Sequence, residues 1–364
     1  MSKAAVLYQT NQPMVVEEIE VADPKAGEVM VKLGASGICR SDYHIIVGEW
    51  AYPLPAILGH EAAGTVVKVG PGVTSVKAGD PIIISFRPSC GTCHYCSIGR
   101  PVLCQVREKA GVGVMLDGTR RFSKGGQPIN HFATTSSFGE YTIIPESSAI
   151  PVRPEIPMDK AALIGCSVTT GALAVFNTAK VEPGSTVVVI GTGGVGLNCI
   201  QGAKIAGAAK IIAVDMLDSR LEFAEQFGAT HPVNGSKGDP VEAVRRMTDG
   251  GVDFSFDAFG SAKTTRQAYD MIRPGGTCTI VGMAPDGEDM VIPARLLPAT
   301  EKTIKGSYYG SVRPRVDMPK LVDLYLDGQL KLDELVTATY TLDEINEGFA
   351  ALGRGEGARG VIVF

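Results

Sequence analysis

Four cysteines lie close together in the sequence, at a spacing that could surround one metal ion. They are Cys90, Cys93, Cys96 and Cys104, in the pattern C-x2-C-x2-C-x7-C. Four thiolates can complete the tetrahedral coordination of zinc, and a site with no open position is structural. An iron–sulfur cluster and disulfides are the alternatives, but the fourth cysteine lacks the bacterial ferredoxin spacing. The pattern predicts a structural zinc lobe over residues 90–104.

A glycine-rich loop predicts a dinucleotide site. The strand candidate Thr186–Ile190 runs into a G-x-G-x-x-G motif, and a helical pattern follows. In this context Gly191 permits the tight turn, Gly193 lets the backbone approach a pyrophosphate, and Gly196 lets the helix pack closely. The helix N-terminus offers N–H groups to phosphate. The expected cofactor contacts in the loop are Gly191, Gly193, Gly194, Val195 and Gly196.

An acidic residue follows this loop at the end of the next strand candidate. Asp215 stands after the apolar run 211–214, 24 residues beyond Gly191. A carboxylate there bonds the ribose hydroxyls and repels a 2′-phosphate, which favours NAD over NADP. The alternatives are a glycine-rich turn without ligand, and Asp215 acting only as a helix cap.

A third set of residues with metal-ligand chemistry is dispersed over segments 37–44, 59–64 and 165–166. Each segment alone is a weak signal, because a lone cysteine or histidine is more often packing than ligand. With the two motifs above, in this order and spacing, the chain resembles the zinc-dependent alcohol dehydrogenases of the medium-chain dehydrogenase/reductase superfamily. The resemblance covers nearly the whole chain.

The resemblance implies a second, catalytic zinc in each subunit. Its ligands would be Cys39, His60 and Cys166, and three protein ligands leave one position for substrate. Asp42 would orient the zinc-bound histidine, and Glu61 would lie close enough to approach the metal.

The resemblance also implies the reaction, which is hydride transfer from an alcohol carbon to NAD. Zinc lowers the pKa of bound water from about 16 to about 7, and an alcohol should gain similarly. Ser41 would accept the hydroxyl proton and His44 would release it through the cofactor ribose. Imidazole suits this step because it exchanges protons near neutral pH. The alternative for His44 is an ordinary surface histidine.

Further cofactor contacts are carried over from the same family. The resemblance places Arg40 and Arg359 at the pyrophosphate, Arg220 near the adenosine ribose, and Thr170 near the nicotinamide. Each arginine could instead be a solvated surface charge. Two more expected cofactor contacts are Val281 and Met283.

A mostly aromatic set of residues is expected around the substrate channel. Such a lining suits a medium-chain or aromatic primary alcohol, although these could be ordinary core residues. The expected pocket residues are Trp50, Phe86, Phe132, Met283 and Tyr308.

The main expectation is therefore an NAD-dependent zinc alcohol dehydrogenase that oxidises primary alcohols reversibly. The alternative is a formaldehyde dehydrogenase that acts on a glutathione or mycothiol adduct. The segment 116–122 resembles the glutathione-using branch, but Gly48–Pro55 has one acid, Glu49, where that branch has two, and the loop Arg107–Lys109 differs. A non-catalytic zinc- and nucleotide-binding protein is a remote alternative, since all the ligands and relay residues are present.

The strand and helix patterns predict two domains of an α/β protein. Short β-branched runs between Gly/Pro turns fill the first 150 residues, and strands alternate with helices after about residue 157. The expectation is a GroES-like β-barrel catalytic domain over 1–166 and 309–364. A Rossmann domain with a doubly wound parallel sheet would span 167–308. Such sheets bind ligands at the carboxyl ends of their strands, so the active site is expected in the cleft between the domains.

The amino-acid composition limits which binding partners and which cellular compartment are expected. The net charge of −5, without a Lys/Arg run, argues against nucleic acid. Neither a signal peptide nor an uninterrupted apolar run of membrane length is found. The eight clustered or scattered cysteines therefore suggest a reducing, cytoplasmic compartment. The segment 105–130 resembles a loop of dimeric family members, so a homodimer is expected, with a tetramer as the alternative.

Overall fold

A computed structural model describes all 364 residues, and the chain divides into two compact units. The first unit comprises Met1–Cys166, Arg313–Gly328 and Leu332–Phe364. The second comprises Ser167–Val312 and Gln329–Lys331. Residues 309–312 and 329–331 thus group with the second unit.

Eighteen strands form the sheets of the two units. In the first unit the chain begins with β1 (Ser2–Leu7), β2 (Val15–Val21), β3 (Glu28–Gly37), β4 (Ala56–Ile57), β5 (Ala62–Val69), β6 (Pro81–Ile84), β7 (Phe122–Lys124), β8 (Gln127–His131), β9 (Tyr141–Pro145) and β10 (Ala149–Pro151). The second unit contributes β11 (Thr186–Ile190), β12 (Lys210–Asp215), β13 (His231–Asn234), β14 (Val252–Asp257), β15 (Ile272–Ile280) and β16 (Thr303–Gly306). The first unit then adds β17 (Val336–Tyr340) and β18 (Arg359–Val363).

Twelve α-helices accompany these strands in the two units. They are α1 (Arg40–Ile46), α2 (His94–Ser97), α3 (Val106–Ala110), α4 (Met158–Leu163), α5 (Thr169–Leu173), α6 (Gly194–Ile205), α7 (Asp218–Gln226), α8 (Pro240–Met247), α9 (Ala262–Met271), α10 (Leu296–Thr300), α11 (Pro314–Leu326) and α12 (Ile345–Arg354).

The first unit contains a closed barrel and a larger sheet. The barrel order is β1-β2-β7-β8-β4, and its interior is filled by apolar side chains such as Leu7, Ile19 and Ile57. The second sheet runs β10-β6-β5-β3-β18-β17, with β9 also paired to β3. In β3 the side chains of Val31 and Leu33 lie in the core while Lys32 is exposed, which is the period of two expected for a strand. This is the predicted GroES-like β module.

The second unit is a six-stranded parallel sheet in the order β13-β12-β11-β14-β15-β16. This is the doubly wound Rossmann order, in which the chain reverses direction across the sheet between β11 and β14. Val187, Val188 and Val189 of β11 are all fully buried, as expected for a central strand covered on both faces. The predicted fold class is therefore confirmed for both units.

One continuous helical stretch, Met158–Ala179, contains two π-helical turns, Ile164–Val168 and Ala174–Ala179. It is long and apolar enough to cross a membrane by length and composition alone. However, 83% of its apolar window is buried inside the fold, as in a core helix. Single π-helical turns inside α-helices often occur at functional sites. The first of these two turns contains Cys166.

Candidate active site

The four-cysteine lobe is folded into a compact cage by α2 and the short turn Pro101–Leu103. All four cysteines are free, and their ligand atoms lie within 4.8 Å of one another. The Sγ of Cys104 lies 3.6 Å from that of Cys90 and 3.7 Å from that of Cys93. Two sulfurs at tetrahedral positions around zinc would be about 3.8 Å apart, given a Zn–S bond of about 2.3 Å. The donor set therefore fits a structural zinc ion.

The lobe also prepares thiolates for a metal. The backbone N–H groups of Thr92 and Cys93 are the main cause that lowers the pKa of Cys90 to about 6. Burial, by contrast, raises the pKa of Cys96 to about 12. Since zinc binds the thiolate form, loading the lobe must release protons from its less acidic thiols.

A second group of potential ligands is buried in the first unit. Ligand atoms of Cys39, His60 and Cys166 lie within 4.8 Å of one another, and Cys166 Sγ is 3.3 Å from His60 Nε2. Sulfur and nitrogen ligands of one tetrahedral zinc would be about 3.6 Å apart. Two thiolates and one imidazole therefore fit a zinc ion, and three ligands leave one coordination position open, as in catalytic sites.

Two glycines let the backbone bring these ligands together. Gly59, just before His60, has a φ of +91°, and a Cβ there would lie 2.5 Å from the Ser137 hydroxyl. Gly165 faces β5 and β6, where a Cβ would lie 3.1 Å from the Ala62 nitrogen and the Ile84 oxygen. Close backbone approach at both positions thus requires the absence of a side chain.

Asp42 fixes the orientation of His60. The carboxylate oxygens lie 3.1 Å and 3.3 Å from Nδ1 of His60, and one accepts the Gly59 N–H at 2.9 Å. A carboxylate can only accept, so Nδ1 carries the hydrogen and Nε2 faces Cys166. Burial alone would lower the pKa of His60, but Asp42 and Cys39 raise it to about 10. Burial is also the main cause that raises the pKa of Asp42.

Glu61 and Arg359 form a buried ion pair beside this cluster. Glu61 is fully buried, and Arg359 in β18 donates from its guanidinium to the Glu61 carboxylate. The Cys166 thiol is the first cause that lowers the pKa of Cys39, and the charge of Arg359 acts in the same direction. In this structure the guanidinium of Arg359 is paired with Glu61. Arg40, the other arginine expected at the pyrophosphate, is exposed, and its guanidinium carbon lies 5.0 Å from the centroid of the Tyr43 ring.

The two expected relay residues lie on α1. Ser41 Oγ is 4.0 Å from Cys39 Sγ, which places this hydroxyl next to the metal-ligand cluster. His44 lies one turn further along, where its imidazole contacts the Glu49 carboxylate and stacks on Trp50 at 4.7 Å between ring centroids. The contact with Glu49 was not predicted from the sequence, where Glu49 was noted only as a single acid.

Two expected pocket residues surround the ligand histidine. The Phe86 ring meets the His60 ring edge-on at 5.3 Å, and Phe132 does so at 5.6 Å. Trp50 is instead found against His44. The remaining two, Met283 and Tyr308, lie in the second unit with exposed fractions of 64% and 38%.

The glycine loop of the second unit has the shape expected for a dinucleotide site. Gly191 has a φ of +85°, and a Cβ at Gly196 would lie 1.8 Å from the Gly191 oxygen. A Cβ at Gly193 would meet nothing within 4 Å, so the space beside this backbone is open. Asp215 accepts from the N–H and hydroxyl of Thr192 at 2.9 Å each, which ties the loop to β12.

Other expected cofactor residues are distributed over the second unit. Thr170 is half-buried on α5 and Arg220 half-buried on α7. Val281 follows β15 and is 8% exposed. The backbone N–H groups of Gly194 and Val195 belong to the first turn of α6.

The segment that resembles the glutathione-using branch is engaged within the fold. Arg121 is 2% exposed, and its guanidinium donates to both carboxylate oxygens of Glu28, at 2.8 Å and 2.5 Å. It also donates to Asp117 at 2.9 Å. Arg121 therefore fastens the loop 105–130 to β3 and is not available to a thiol substrate.

Arg87 was missed by the sequence analysis. It is 5% exposed and donates to the Cys104 oxygen at 3.0 Å and to the Glu108 carboxylate. Through this residue the cysteine lobe is joined to the segment after β6 that bears Phe86. No sequence pattern indicated this contact.

Comparison with known proteins agrees with the geometry. Residues 25–154 match the family described as alcohol dehydrogenase GroES-like domain, and residues 194–327 match the family described as zinc-binding dehydrogenase. The chain is 45% identical to an alcohol dehydrogenase class-3 of Cereibacter sphaeroides, with 100% of both chains covered. It is 43% identical to an S-(hydroxymethyl)glutathione dehydrogenase of Paracoccus denitrificans, again over 100% of both chains.

Solved structures give the same result. The benzyl alcohol dehydrogenase of Acinetobacter calcoaceticus superposes with a TM-score of 0.95 at 34% identity, covering 100% of this chain and 99% of that one. An alcohol dehydrogenase zinc-binding domain protein of Burkholderia ambifaria gives 0.96 at 34%, covering 100% and 98%. This chain belongs to the zinc-dependent alcohol dehydrogenases of the medium-chain superfamily. It is an oxidoreductase that acts on alcohols with zinc and NAD, so the predicted enzyme class and cofactors are confirmed.

Proposed function

We propose that this chain oxidises primary alcohols to aldehydes, reversibly, at a zinc ion held by Cys39, His60 and Cys166. The observation that carries this proposal is the buried cluster of three ligand atoms within 4.8 Å. A soft, two-thiolate and one-imidazole set suits zinc, and its open position suits a hydroxyl oxygen. NAD would lie on the loop 191–196, with Asp215 at the ribose.

The residues around the cluster have separate tasks. When bound, zinc would lower the pKa of the substrate hydroxyl and NAD would accept the hydride. Asp42 keeps the Nε2 of His60 directed at the metal, while Phe86 and Phe132 shield that side of the imidazole from water. The Ser41 hydroxyl would accept the substrate proton while donating its own through the cofactor ribose, and His44 would release a proton to solvent.

A hydroxymethyl thiol adduct is the first substrate candidate. It is supported by the curated relatives, one of which is named S-(hydroxymethyl)glutathione dehydrogenase, more strongly than a free alcohol is. Glutathione carries carboxylates, which a cation near the pocket would bind. Arg107 supplies a positive charge near Tyr52. Burial raises the pKa of Tyr52 to about 12, and the charge of Arg107 opposes that rise. Tyr52 in turn packs edge-on against Phe132 at 5.3 Å.

A free aromatic or medium-chain alcohol is the second candidate. The aromatic edges of Phe86 and Phe132 at His60 favour an apolar substrate. The benzyl alcohol dehydrogenase that superposes over the whole chain supports the same class.

The decisive experiment measures NADH formation by the zinc-loaded enzyme. Benzyl alcohol and hexanol would be compared with formaldehyde plus glutathione and formaldehyde plus mycothiol, each over a range of concentrations. A kcat/KM at least about 100-fold higher for one thiol adduct, equivalent to about 2.7 kcal/mol, assigns the thiol-dependent activity. The reverse ratio assigns the free alcohol. No NADH from any of these substrates, with two zinc ions bound per chain, contradicts the proposed function.

A further inference from the structure

The chain folds back over His44 immediately after α1. The Val47 N–H donates to the Tyr43 oxygen at 2.9 Å, and Gly48 then adopts a φ of +78°. The Trp50 N–H donates to the His44 oxygen at 3.1 Å. This left-handed turn at a helix end is one that glycine adopts readily, and it returns residues 49 and 50 to the imidazole.

Both returning side chains contact the ring. The Glu49 carboxylate contacts Nδ1 of His44, and the Trp50 ring stacks on the imidazole with an interplanar angle of 28°. The side chain of His44 is 25% exposed and that of Glu49 is 59% exposed. A pair this exposed adds little to stability because water screens it. Its effect is on the orientation of the ring and on the position of the ring hydrogen.

The chemistry of the two partners decides which nitrogen carries the hydrogen. An ionised carboxylate can only accept hydrogen bonds, so the neutral imidazole must carry its hydrogen on Nδ1. Nε2 then holds the lone pair. In a free histidine both tautomers are available, and the ring can also rotate about its side-chain bonds.

We propose that Glu49 is a positioning residue of the proton relay. It holds the His44 ring with Nδ1–H directed to its own carboxylate and leaves Nε2 as the nitrogen that exchanges the proton. This rests on the proposed function, in which His44 releases the substrate proton. Nε2 accepts that proton to give an imidazolium with hydrogens on both nitrogens, and the same N–H is then lost to water. The Nδ1–H stays with Glu49 throughout.

This assignment also bears on the substrate. Glu49 is the single acid in Gly48–Pro55, and its carboxylate is already engaged by His44. It is therefore not free to bind the ammonium group of a peptide thiol. Loss of Glu49 should change the rate with every alcohol, and should not selectively raise the KM of a thiol adduct.

The test compares Glu49→Ala and Glu49→Gln in the zinc-loaded enzyme by single-turnover NADH formation. We expect Glu49→Ala to slow alcohol oxidation by about tenfold, the cost typical of losing a residue that orients a functional histidine. Glu49→Gln should lose less, because its amide oxygen still accepts from Nδ1–H. Added imidazole should restore part of the rate. The control is Asp23→Asn, which breaks the exposed ion pair of Asp23 with Lys68 and should have no effect.

A double substitution separates the possible outcomes. In a His44→Ala background, Glu49→Ala should cause no further loss, because Glu49 acts only through His44. An equal loss in both backgrounds overturns the inference. So does an unchanged rate in Glu49→Ala when His44→Ala is slow. If His44→Ala itself keeps the full rate, the relay in the proposed function fails instead.

Imidazole nitrogen chemical shifts give a readout independent of activity. With 15N-labelled histidine, the native enzyme should show His44 as the tautomer with hydrogen on Nδ1. The Glu49→Ala variant should show a shift toward the tautomer with hydrogen on Nε2. An unchanged tautomer in Glu49→Ala contradicts the positioning role.

Discussion

Cys166 is the residue on which the three-ligand site depends most visibly, because it reaches His60 from a π-helical turn more than one hundred residues away. We expect Cys166→Ser to lower the bound zinc from two ions per chain to one and to abolish turnover, since a serine hydroxyl is a poor zinc ligand. Metal analysis after gel filtration measures the first effect. The matched control is Cys199→Ala, another buried cysteine that belongs to neither cluster. Two zinc ions retained by Cys166→Ser would contradict the ligand assignment.

His131 is a buried histidine without a role in the proposed reaction. Its Nε2 accepts the Arg121 N–H at 3.0 Å, so the ring is neutral with hydrogen on Nδ1. Burial is the main cause that lowers its pKa to about 3, and nearby Arg121 adds to this. In the unfolded chain a histidine takes up a proton below about pH 6.5. The unfolded state then binds more protons, so the free energy of unfolding falls as the pH decreases from about 6.5 toward 3.

The His131→Gln variant tests this effect, because a glutamine oxygen can replace the acceptor without titrating. Between pH 6.5 and 5.5 the native enzyme should lose about 1 kcal/mol more unfolding free energy than the variant, given about 1.4 kcal/mol per pH unit for one proton. Urea denaturation at the two pH values measures the difference. Parallel pH dependences in the two proteins would show that His131 titrates normally.

Residue roles were predictable where a local pattern carried them. The ligand cysteines and the glycine loop stand in short, specific motifs. The Glu61–Arg359 pair joins residues 298 positions apart, and Glu49 lies on a turn whose direction is set by one glycine φ. The Glu61–Arg359 and Glu49–His44 contacts do not belong to any sequence motif or periodic pattern, so they could not be predicted from the sequence.

At the scale of elements, the junction of β11 and α6 gives a matched pair of substitutions. We expect Gly196→Ala to lower the free energy of unfolding by about 1 to 3 kcal/mol, because its Cβ would collide with the Gly191 oxygen. Gly193→Ala should leave stability unchanged, since Gly193 has a φ of −73° and open space beside it. It should instead weaken NAD binding at least about tenfold, or about 1.4 kcal/mol, by filling space meant for the pyrophosphate.

Thermal unfolding and NAD titration calorimetry would separate the two effects. A stable Gly196→Ala variant would show that the helix can shift away from the strand. Unchanged NAD affinity in Gly193→Ala would show that the pyrophosphate does not lie against this backbone.

Element prediction succeeded best for the parallel sheet. Strand β11 is a continuous β-branched run that ends at a glycine turn, and it was predicted with its observed bounds. The hairpin of β7 and β8 was missed, because its strands are short and polar and the segment was treated as a loop. Helix α9 was also missed, although Ser261 and Thr264 form a capping box at its start. Its apolar positions are too few to show a helical period.

At the scale of the whole molecule, β16 forms one edge of the parallel sheet. A strand at the edge of a sheet exposes unpaired backbone groups, and the nearby segment 284–300 exposes Val291 at 73%. We expect a homodimer through this edge, with a mass of about 76 kDa, twice 38.2 kDa. Light scattering after gel filtration measures the mass. Val291→Asp should weaken the dimer, whereas Val316→Asp, exposed on α11 of the first unit, should not. A monomeric native enzyme would contradict the expected assembly.

The order in which the chain is synthesised gives the Glu61–Arg359 pair a further meaning. At about 5 to 20 residues per second, the 298 residues between them take about 15 to 60 s to translate. By the end of that time every zinc ligand has been synthesised, but Glu61 still lacks the guanidinium of Arg359 and the last part of β3 still lacks its pairing with β18. A chain that stops before Arg359 therefore leaves the last part of β3 without this neighbour and removes the guanidinium that Glu61 contacts. Arg359 and β18 therefore supply two contacts of the first unit together and late in synthesis.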